Sequence, residues 1–280
     1  MVPSSWICPT CKVTVATSFC SRCGEEPVQP RDLSLRGLAE KLLHATTSID
    51  ARTARSAWTL LRHPGELTVA WVKGIRKPYV APFQLFLIAN VAFFAIQWLT
   101  GENVFSSSLD SHLHHQDWSE LAQSQLSRRL SQTHMTMEQY RPIFDRAVVL
   151  NAKSLVLLMT LPFALVLPLV FLGERRPLMT HVVFALHLYT FLLMLFCAAL
   201  LAAKFSASLG LGGLDAPVVD NLLSITNLTV CGAYLYVSIG RVYKPPLWRR
   251  LSKTVVLTVV AAAVVIGYRF ALFFITLYAT

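Results

Sequence analysis

Four cysteines near the N-terminus have the types and spacing of a metal site. Cys8 and Cys11 form one C-x-x-C pair, and Cys20 and Cys23 form a second pair after eight intervening residues. Each pair makes a binding knuckle, and four thiolates suit a tetrahedral Zn²⁺ ion. Because protein ligands fill all four positions, the ion would be structural and would leave no position open for water or substrate. We therefore predict one structural zinc ion in a ribbon over residues 1–27; redox sensing by zinc release is the alternative.

The ribbon has almost no apolar core of its own, so a metal must hold it together. Trp6 and Phe19 are the large side chains available to pack over the knuckles. Residues Met1 to Ile7 have neither the basic nor the apolar region of a cleaved secretion signal. Since free thiolates persist in a reducing compartment, we expect the ribbon to lie in the cytoplasm.

A second group of side chains precedes the first long apolar segment. Lys73, Arg76 and Lys77 are followed by Tyr79, an aromatic residue suited to a membrane interface. Closely spaced cations at that position attract anionic lipid head groups. The group predicts a lipid or phosphate contact that anchors the chain; a specific phosphate or lipid-substrate site is the alternative.

A third group is polar but lies within apolar segments. An ionisable side chain in hydrocarbon is costly, which makes each one a functional candidate. On a helix His181 and His187 are about 120° out of phase, so they should face different neighbours. Asp220 is placed to pair with Arg269 or Lys153 near the outer side, and a structural bridge or snorkelling to outer head groups is the alternative. These five residues form the candidate intramembrane polar site.

The elements that must position these groups are mainly membrane helices. Of 280 residues, 54% are hydrophobic and 14% are charged, whereas soluble domains carry about 25% charged residues. Pro162 and Pro168 fall inside one apolar segment, where they should kink a helix rather than end it. Each apolar segment is near the ~20 residues that cross a bilayer, and the segments cover 80–100, 149–172, 179–203, 217–240 and 254–278.

Residues 31–77 are basic and amphipathic. Leucines at 35, 38 and 42 share one helical face, and the apolar residues Ala54, Ala57, Trp58 and Leu61 repeat the pattern. These stretches are too short and too polar to span, so we expect helices that lie on the inner membrane surface. A small soluble helical domain packed on the ribbon is the alternative.

The charges of the connections predict the orientation. Residues 31–77 hold nine cations and 241–253 hold five, whereas 101–148 hold four against six acids. Cation-rich connections stay in the cytoplasm, so five spans place the N-terminus inside and Thr280 outside. The segment 101–148 then forms the large external loop, in which Trp118, Leu121 and Leu130 suggest a modest helix. It contains four of the eight histidines; they could bind a metal, and a loose polar loop that collects histidines by chance is the alternative.

Two stretches of the chain resemble a known family. The first runs from Leu61 to Glu66 and continues from Trp71 to Phe83, and the second runs from His181 to Phe191. They are similar to the bacterial membrane family of domain of unknown function 3667, in which a zinc ribbon precedes Pro-Gly, Gly-x-Arg and Glu-His motifs. Thr180 stands where the family has Glu before the first His. The resemblance implies the ribbon and a bacterial inner-membrane location, and it implies no reaction.

We therefore expect an all-α integral membrane protein of about five transmembrane helices, with interfacial amphipathic helices and a small N-terminal zinc ribbon. Its parts are the ribbon (1–27), the basic surface helices (31–77) and the membrane domain (78–280). No nucleotide-binding loop, metalloprotease motif or nucleophile-elbow motif occurs. We therefore favour a non-enzymatic function.

The leading interpretation is a cytoplasmic docking or envelope-sensing platform that contacts anionic lipid head groups and a protein partner at the ribbon. A small-solute or ion transporter that uses intramembrane His, Lys and Arg, and a membrane enzyme acting on lipid head groups, are the alternatives. The net charge of +10 does not indicate nucleic acid, because two cations beside the knuckles, Lys12 and Arg22, make a weak basic patch. The oligomeric state is left open.

Overall fold

A computed structural model describes residues 5–27, 51–101, 107–114, 116, 118–174 and 176–280. The part of the expected surface helices before residue 51 lies outside the described residues. The described chain is mainly helical, with a small cysteine-rich hairpin at its start, which confirms the helical character and the N-terminal cysteine cluster of the predicted fold.

The hairpin consists of β1 (Trp6–Ile7) and β2 (Thr14–Val15), paired antiparallel with Trp6 opposite Val15. Two strands of two residues bury little apolar surface, and such a hairpin is marginal on its own. The cysteines therefore have to supply much of the order of this segment.

Two short helices follow, α1 (Ala51–Arg62) and α2 (Glu66–Val72). Gly65 between them has φ 82°, and a Cβ atom there would lie 3.0 Å from the backbone of Ser238. A glycine is needed because of this close approach and because the left-handed conformation disfavours other residues. The chain can thus bring α2 directly against a membrane helix.

The apolar faces of α1 and α2 lie in different environments. In α1 the residues of the predicted apolar stripe, Trp58 and Leu61, stay exposed, as a membrane-surface helix requires. In α2 the apolar residues Leu67, Ala70 and Trp71 are buried against protein instead of facing a membrane surface, and Trp71 packs with Met179 and Val183. The position of α1 on a membrane surface remains a prediction.

Among the described residues, four helices are long and apolar enough to cross a membrane: α3 (Pro82–Thr100), α8 (Leu178–Ser208), α9 (Pro217–Val242) and α10 (Leu247–Ala279). They coincide with four of the five predicted spans, and α8 and α10 extend several residues further. Most of α8 is buried, so it forms the centre of the bundle. Lys244 at φ 56° and the prolines after it separate α9 from α10.

The predicted span 149–172 is a bent pair of helices. α6 (Met137–Leu155) begins at a capping box formed by Thr136 and Gln139, and a 3₁₀ turn (Val156–Met159) leads into α7 (Thr160–Val170). The two parts are bent by 57°. Pro162 has no N–H and its ring clashes with the carbonyl four residues earlier, at Leu158, inside the 3₁₀ turn. The expected kink is therefore a break, and the described residues contain four helices able to span a membrane, or five such segments if the bent pair crosses as one.

Contacts at its two ends show that the bent pair runs the length of the bundle. At one end the Tyr140 hydroxyl lies 2.6 Å from Thr280 Oγ1. At the other end the ring of Phe171 stacks on Tyr243, 3.8 Å between centroids. We call the second end, which also carries α2, the ribbon end of the bundle and the first the far end.

The expected external loop 101–148 is largely helical. It contains α4 (Leu109–His114), α5 (Ser119–Thr133) and the start of α6. The Asp145 carboxylate accepts a hydrogen bond from the backbone N–H of Leu109, 2.8 Å away, and so ties α4 to α6. These helices form a layer over the far end of the bundle.

Candidate metal centre and polar sites

The four cysteines converge on one point. Their sulfur atoms all lie within 4.8 Å of one another, and Cys8 Sγ is 3.5 Å from Cys23 Sγ. A tetrahedral ion with metal–sulfur bonds of ~2.3 Å separates its ligands by about 3.8 Å. Cys8 and Cys20 are buried and Cys11 and Cys23 are half-buried. The predicted ligand set therefore has the geometry to hold one metal ion.

Two equivalent turns build the site. In the first the N–H of Lys12 donates to the carbonyl of Cys8, and in the second the N–H of Gly24 donates to the carbonyl of Cys20. Lys12 and Gly24 both have a positive φ, 61° and 72°. Each turn curls its backbone around the sulfur of its first cysteine, so backbone N–H groups face the thiolates.

The electrostatics of the knuckle favour a thiolate at Cys20. Burial alone would raise the pKa of this thiol, but hydrogen bonds from the backbone of Cys23 and Arg22 and from the side chains of Cys23 and Cys8 lower it to about 7. Metals bind thiolates rather than thiols. Hydrogen bonding thus favours the thiolate at this one of the four cysteines, whereas the pKa of the neighbouring Cys23 is raised.

Glu25 joins the ribbon to the bundle, although no sequence motif points to it. Its carboxylate is buried, and Oε2 accepts hydrogen bonds from Thr10 Oγ1 at 2.9 Å and from the backbone N–H groups of Arg76 and Lys77 at 3.1 Å each. The backbone donors come from a turn 51 residues away, so no local spacing could have indicated this role. Hydrogen bonds to a charged acceptor are the strong ones.

The predicted lipid-contact residues therefore have protein contacts as well. The guanidinium of Arg76 lies 4.7 Å above the ring of Trp71, and Tyr79 packs partly buried against the bundle core. Lys73 and Lys77 remain exposed. This segment holds the ribbon through its backbone, while a lipid role for its lysines remains a prediction.

The two membrane histidines are buried and face different neighbours, as their spacing predicted. His181 Nδ1 lies 2.8 Å from the Tyr243 hydroxyl on the loop after α9. His187 Nδ1 lies 2.8 Å from Thr68 Oγ1 in α2. Each histidine therefore links α8 to a separate element near the ribbon end, and the two do not form a joint site.

The charged candidates lie toward the far end. Asp220 and Arg269 line one cavity of about 270 Å³ together with Ser224 and Asn227. Within the described part of the chain no ion pair joins the two charges, and Arg269 Nη2 donates to Ser107 Oγ at 3.0 Å. Lys153 is exposed and lies outside this cavity. The structure thus brings together two of the five predicted polar residues.

The external histidines are dispersed. His112 is buried against the rings of Trp118, Phe144 and Phe273, and neither of its nitrogens has a hydrogen-bond partner among the described residues. Burial, with the charge of Arg269 added, lowers its pKa to about 4. His114 is exposed on the other side of α4, and residue 115 lies outside the described part. Among the residues with described positions, only the four cysteines form a potential metal-binding group.

The fold and the cysteine site together define a class: a multi-helix membrane protein with a four-cysteine metal-binding site at its N-terminus. Residues 50–94 match the family model described as a protein of unknown function (DUF3667), which confirms the resemblance for this segment. The matched segment runs from α1 through the Glu25-binding turn into α3, and it does not include the His181 motif. No curated protein and no solved structure matches the chain.

Proposed function

We propose that this chain is a zinc-stabilised docking platform in the bacterial inner membrane, with the ribbon in the cytoplasm. The observation that carries the proposal is the attachment of the cysteine site to the bundle through Glu25. A metal module that is fixed to a membrane domain has a defined orientation, and this is what a docking surface needs.

The metal would be zinc and its role structural. Four thiolates at mutual distances suited to tetrahedral coordination are a ligand set that zinc occupies in structural sites. With all four positions filled by protein, no substrate or water can reach the ion. The ribbon then acts through its surface rather than through its metal.

That surface presents apolar side chains. Ile7 and Phe19 are 67% and 54% exposed, and Val13 is also exposed; Phe19 does not cover the knuckles as expected, whereas Trp6 packs against them. Lys12 and Arg22 are also exposed on the ribbon. Exposed apolar side chains and cations on one small module fit a protein partner that offers an apolar and acidic segment.

The charges of the bundle support the cytoplasmic orientation. Cations gather at the ribbon end, and the positive-inside rule assigns such an end to the cytoplasm. The residues in question are Lys73, Arg76, Lys77, Arg176, Arg241, Lys244, Arg249 and Lys253.

A photo-crosslinking amino acid at position 19 in intact cells tests the proposal. We expect one discrete protein adduct, which disappears when Ile7→Asp is added and persists when the exposed Glu26→Gln is added instead. A crosslinker placed on the identified partner should capture the ribbon in return. Adducts to lipid alone, or the same adducts from a crosslinker at exposed Trp98 of α3, would overturn the docking role.

Transport is a second candidate because of the polar cavity with Asp220 and Arg269. Fewer residues support transport than the sequence predicted, because His181 and His187 make hydrogen bonds outside this cavity. Proton flux into proteoliposomes, present in the wild type and absent in Asp220→Asn, would favour it over the platform.

A further inference from the structure

A small cavity at the ribbon end is surrounded by cations from three elements. It lies between α2, the start of α8 and the end of α9, and its volume is about 140 Å³. Since one water occupies ~30 Å³ of liquid, the cavity has room for a tetrahedral anion. Four of its lining residues are cationic: Lys73, Arg176, Arg241 and Lys244.

The positive charge of this cavity is largely uncompensated. Arg241 lies 3.6 Å from the carboxylate of Glu66, and its Nη1 also donates to the carbonyl of Pro64. Arg176 donates to the Val242 carbonyl, at 3.5 Å. No acidic partner of Lys73 or Lys244 occurs among the described residues. Among the described residues the four cations have one carboxylate partner, Glu66, so an anion that enters the cavity is attracted by the remaining positive charge.

Thr180 lines the same cavity and carries a neutral donor. Its side chain is 2% exposed and its hydroxyl has no hydrogen-bond partner among the described residues. A buried hydroxyl that is left unpaired is unfavourable. Thr180 also lies in the first turn of α8, at the positive end of the dipole of a 31-residue helix. The hydroxyl, the dipole and the cations all favour the same kind of ligand.

We propose that this cavity binds the phosphate group of an anionic ligand. Arg176 and Arg241 offer paired N–H groups that match phosphate oxygens, the two lysines act as point charges, and Thr180 donates its hydroxyl. The inference goes beyond the docking role, which rests on the ribbon and on its attachment to the bundle through Glu25. Of the predicted lipid-contact residues, only Lys73 lines the cavity. A phospholipid head group and free phosphate share this chemistry.

The test uses the full chain in two environments. Inorganic phosphate is titrated by calorimetry into protein purified in a neutral, phosphate-free detergent. Retention of phosphatidic acid is measured by native mass spectrometry from nanodiscs that contain it with phosphatidylcholine. The variant Lys73→Gln/Lys244→Gln is compared with Arg128→Gln/Arg249→Gln, which removes two exposed cations outside the cavity.

We expect the cavity variant to weaken binding of one of the two probes by about tenfold or more, and the control to leave it unchanged. Binding of inorganic phosphate identifies a free anion, whereas retention of phosphatidic acid alone identifies a head group. Thr180→Val keeps every charge and should weaken the same probe about threefold to tenfold. No binding of either probe, or equal losses in the cavity and control variants, would overturn the proposal.

Discussion

At the scale of single residues, the cysteines and Glu25 stabilise the ribbon in two different ways. The cysteines determine its internal fold, because the hairpin has no core without a metal. Glu25 determines where the ribbon lies, because its three donors come from the ribbon itself and from the turn before α3. The two functions should therefore be separable by mutation.

Replacing Glu25 with Ala should release the ribbon without removing its metal. Three hydrogen bonds to a buried carboxylate are lost, and the docking interface should weaken by roughly 3–5 kcal/mol. Hydrogen exchange at the amides of Arg76 and Lys77 should accelerate, while metal content stays constant. The neighbouring Glu26→Ala, at an exposed position, serves as the matched control, and loss of metal from Glu25→Ala would contradict the separation.

Replacing Cys20 and Cys23 with Ser should remove the metal altogether. A set of two thiolates cannot hold a structural ion in a segment that does not fold alone. Elemental analysis of the purified protein should give one zinc per wild-type chain and none in the variant. The double variant His181→Ala/His187→Ala should keep its zinc. A second metal lost with these histidines would point to transport or catalysis instead.

His112 should make stability depend on pH. Its pKa is about 4 in the folded chain against 6.5 for an ordinary histidine, so the unfolded state takes up a proton first as the pH falls. The contribution of neutral His112 to the free energy of unfolding is fully present above pH 6.5 and should fall by about 3 kcal/mol as the pH is lowered to 4. Unfolding in detergent across that range measures the slope. His112→Leu should flatten it, and His114→Asn should not.

At the scale of elements, contacts between helices explain the differences from the predicted pattern. The α2 helix buries the face that was expected to meet lipid, because Trp71 finds a partner surface on α8. The span 149–172 is broken because Pro162 removes a helical hydrogen bond. Its α6 part begins at residue 137, where Thr136 and Gln139 form a cap. Each outcome depends on a specific packing or capping contact rather than on how apolar the segment is.

The approach of α2 to α9 can be tested at Gly65. Gly65→Ala combines an unfavourable φ with a Cβ 3.0 Å from the Ser238 backbone, and should cost about 2–4 kcal/mol. Gly101→Ala has a similar φ, 78°, with no atom within 4 Å of the new Cβ, and should cost about 1 kcal/mol. Thermal unfolding of both variants measures the difference. Equal losses would mean that the close approach is unimportant.

At the scale of the whole molecule, the direction of each helix follows from contacts at the two ends. Trp71, shortly before α3, packs on Met179 at the start of α8. Lys204 near the end of α8 donates to the carbonyl of Thr100, 3.1 Å away, at the end of α3. The two helices are therefore parallel. The chain must return between them, and the bent pair α6–α7 makes this return.

Reporter fusions should give the matching topology. With five crossings and the ribbon inside, a fusion after Gly101 should report outside and a fusion after Lys244 should report inside. A fusion at Thr280 should report outside. If the bent pair enters and leaves the membrane on the same side, the fusion after Lys244 should report outside and the fusion at Thr280 should report inside. The fusion after Gly101 should still report outside. The Thr280 fusion thus distinguishes four crossings from five.

The sequence by itself determined the cysteine ligand set, four of the apolar helices and the separate neighbours of His181 and His187. These features follow from the spacing and hydrophobicity of residues that are close together in the sequence. Tertiary structure alone decided the role of Glu25, the packing of the helices of the expected external segment 101–148 on the far end of the bundle, and the cavity that joins Lys73 to Arg176 and Arg241. Their partners lie far apart in the chain, so only packing of the helices brings the charges and donors together.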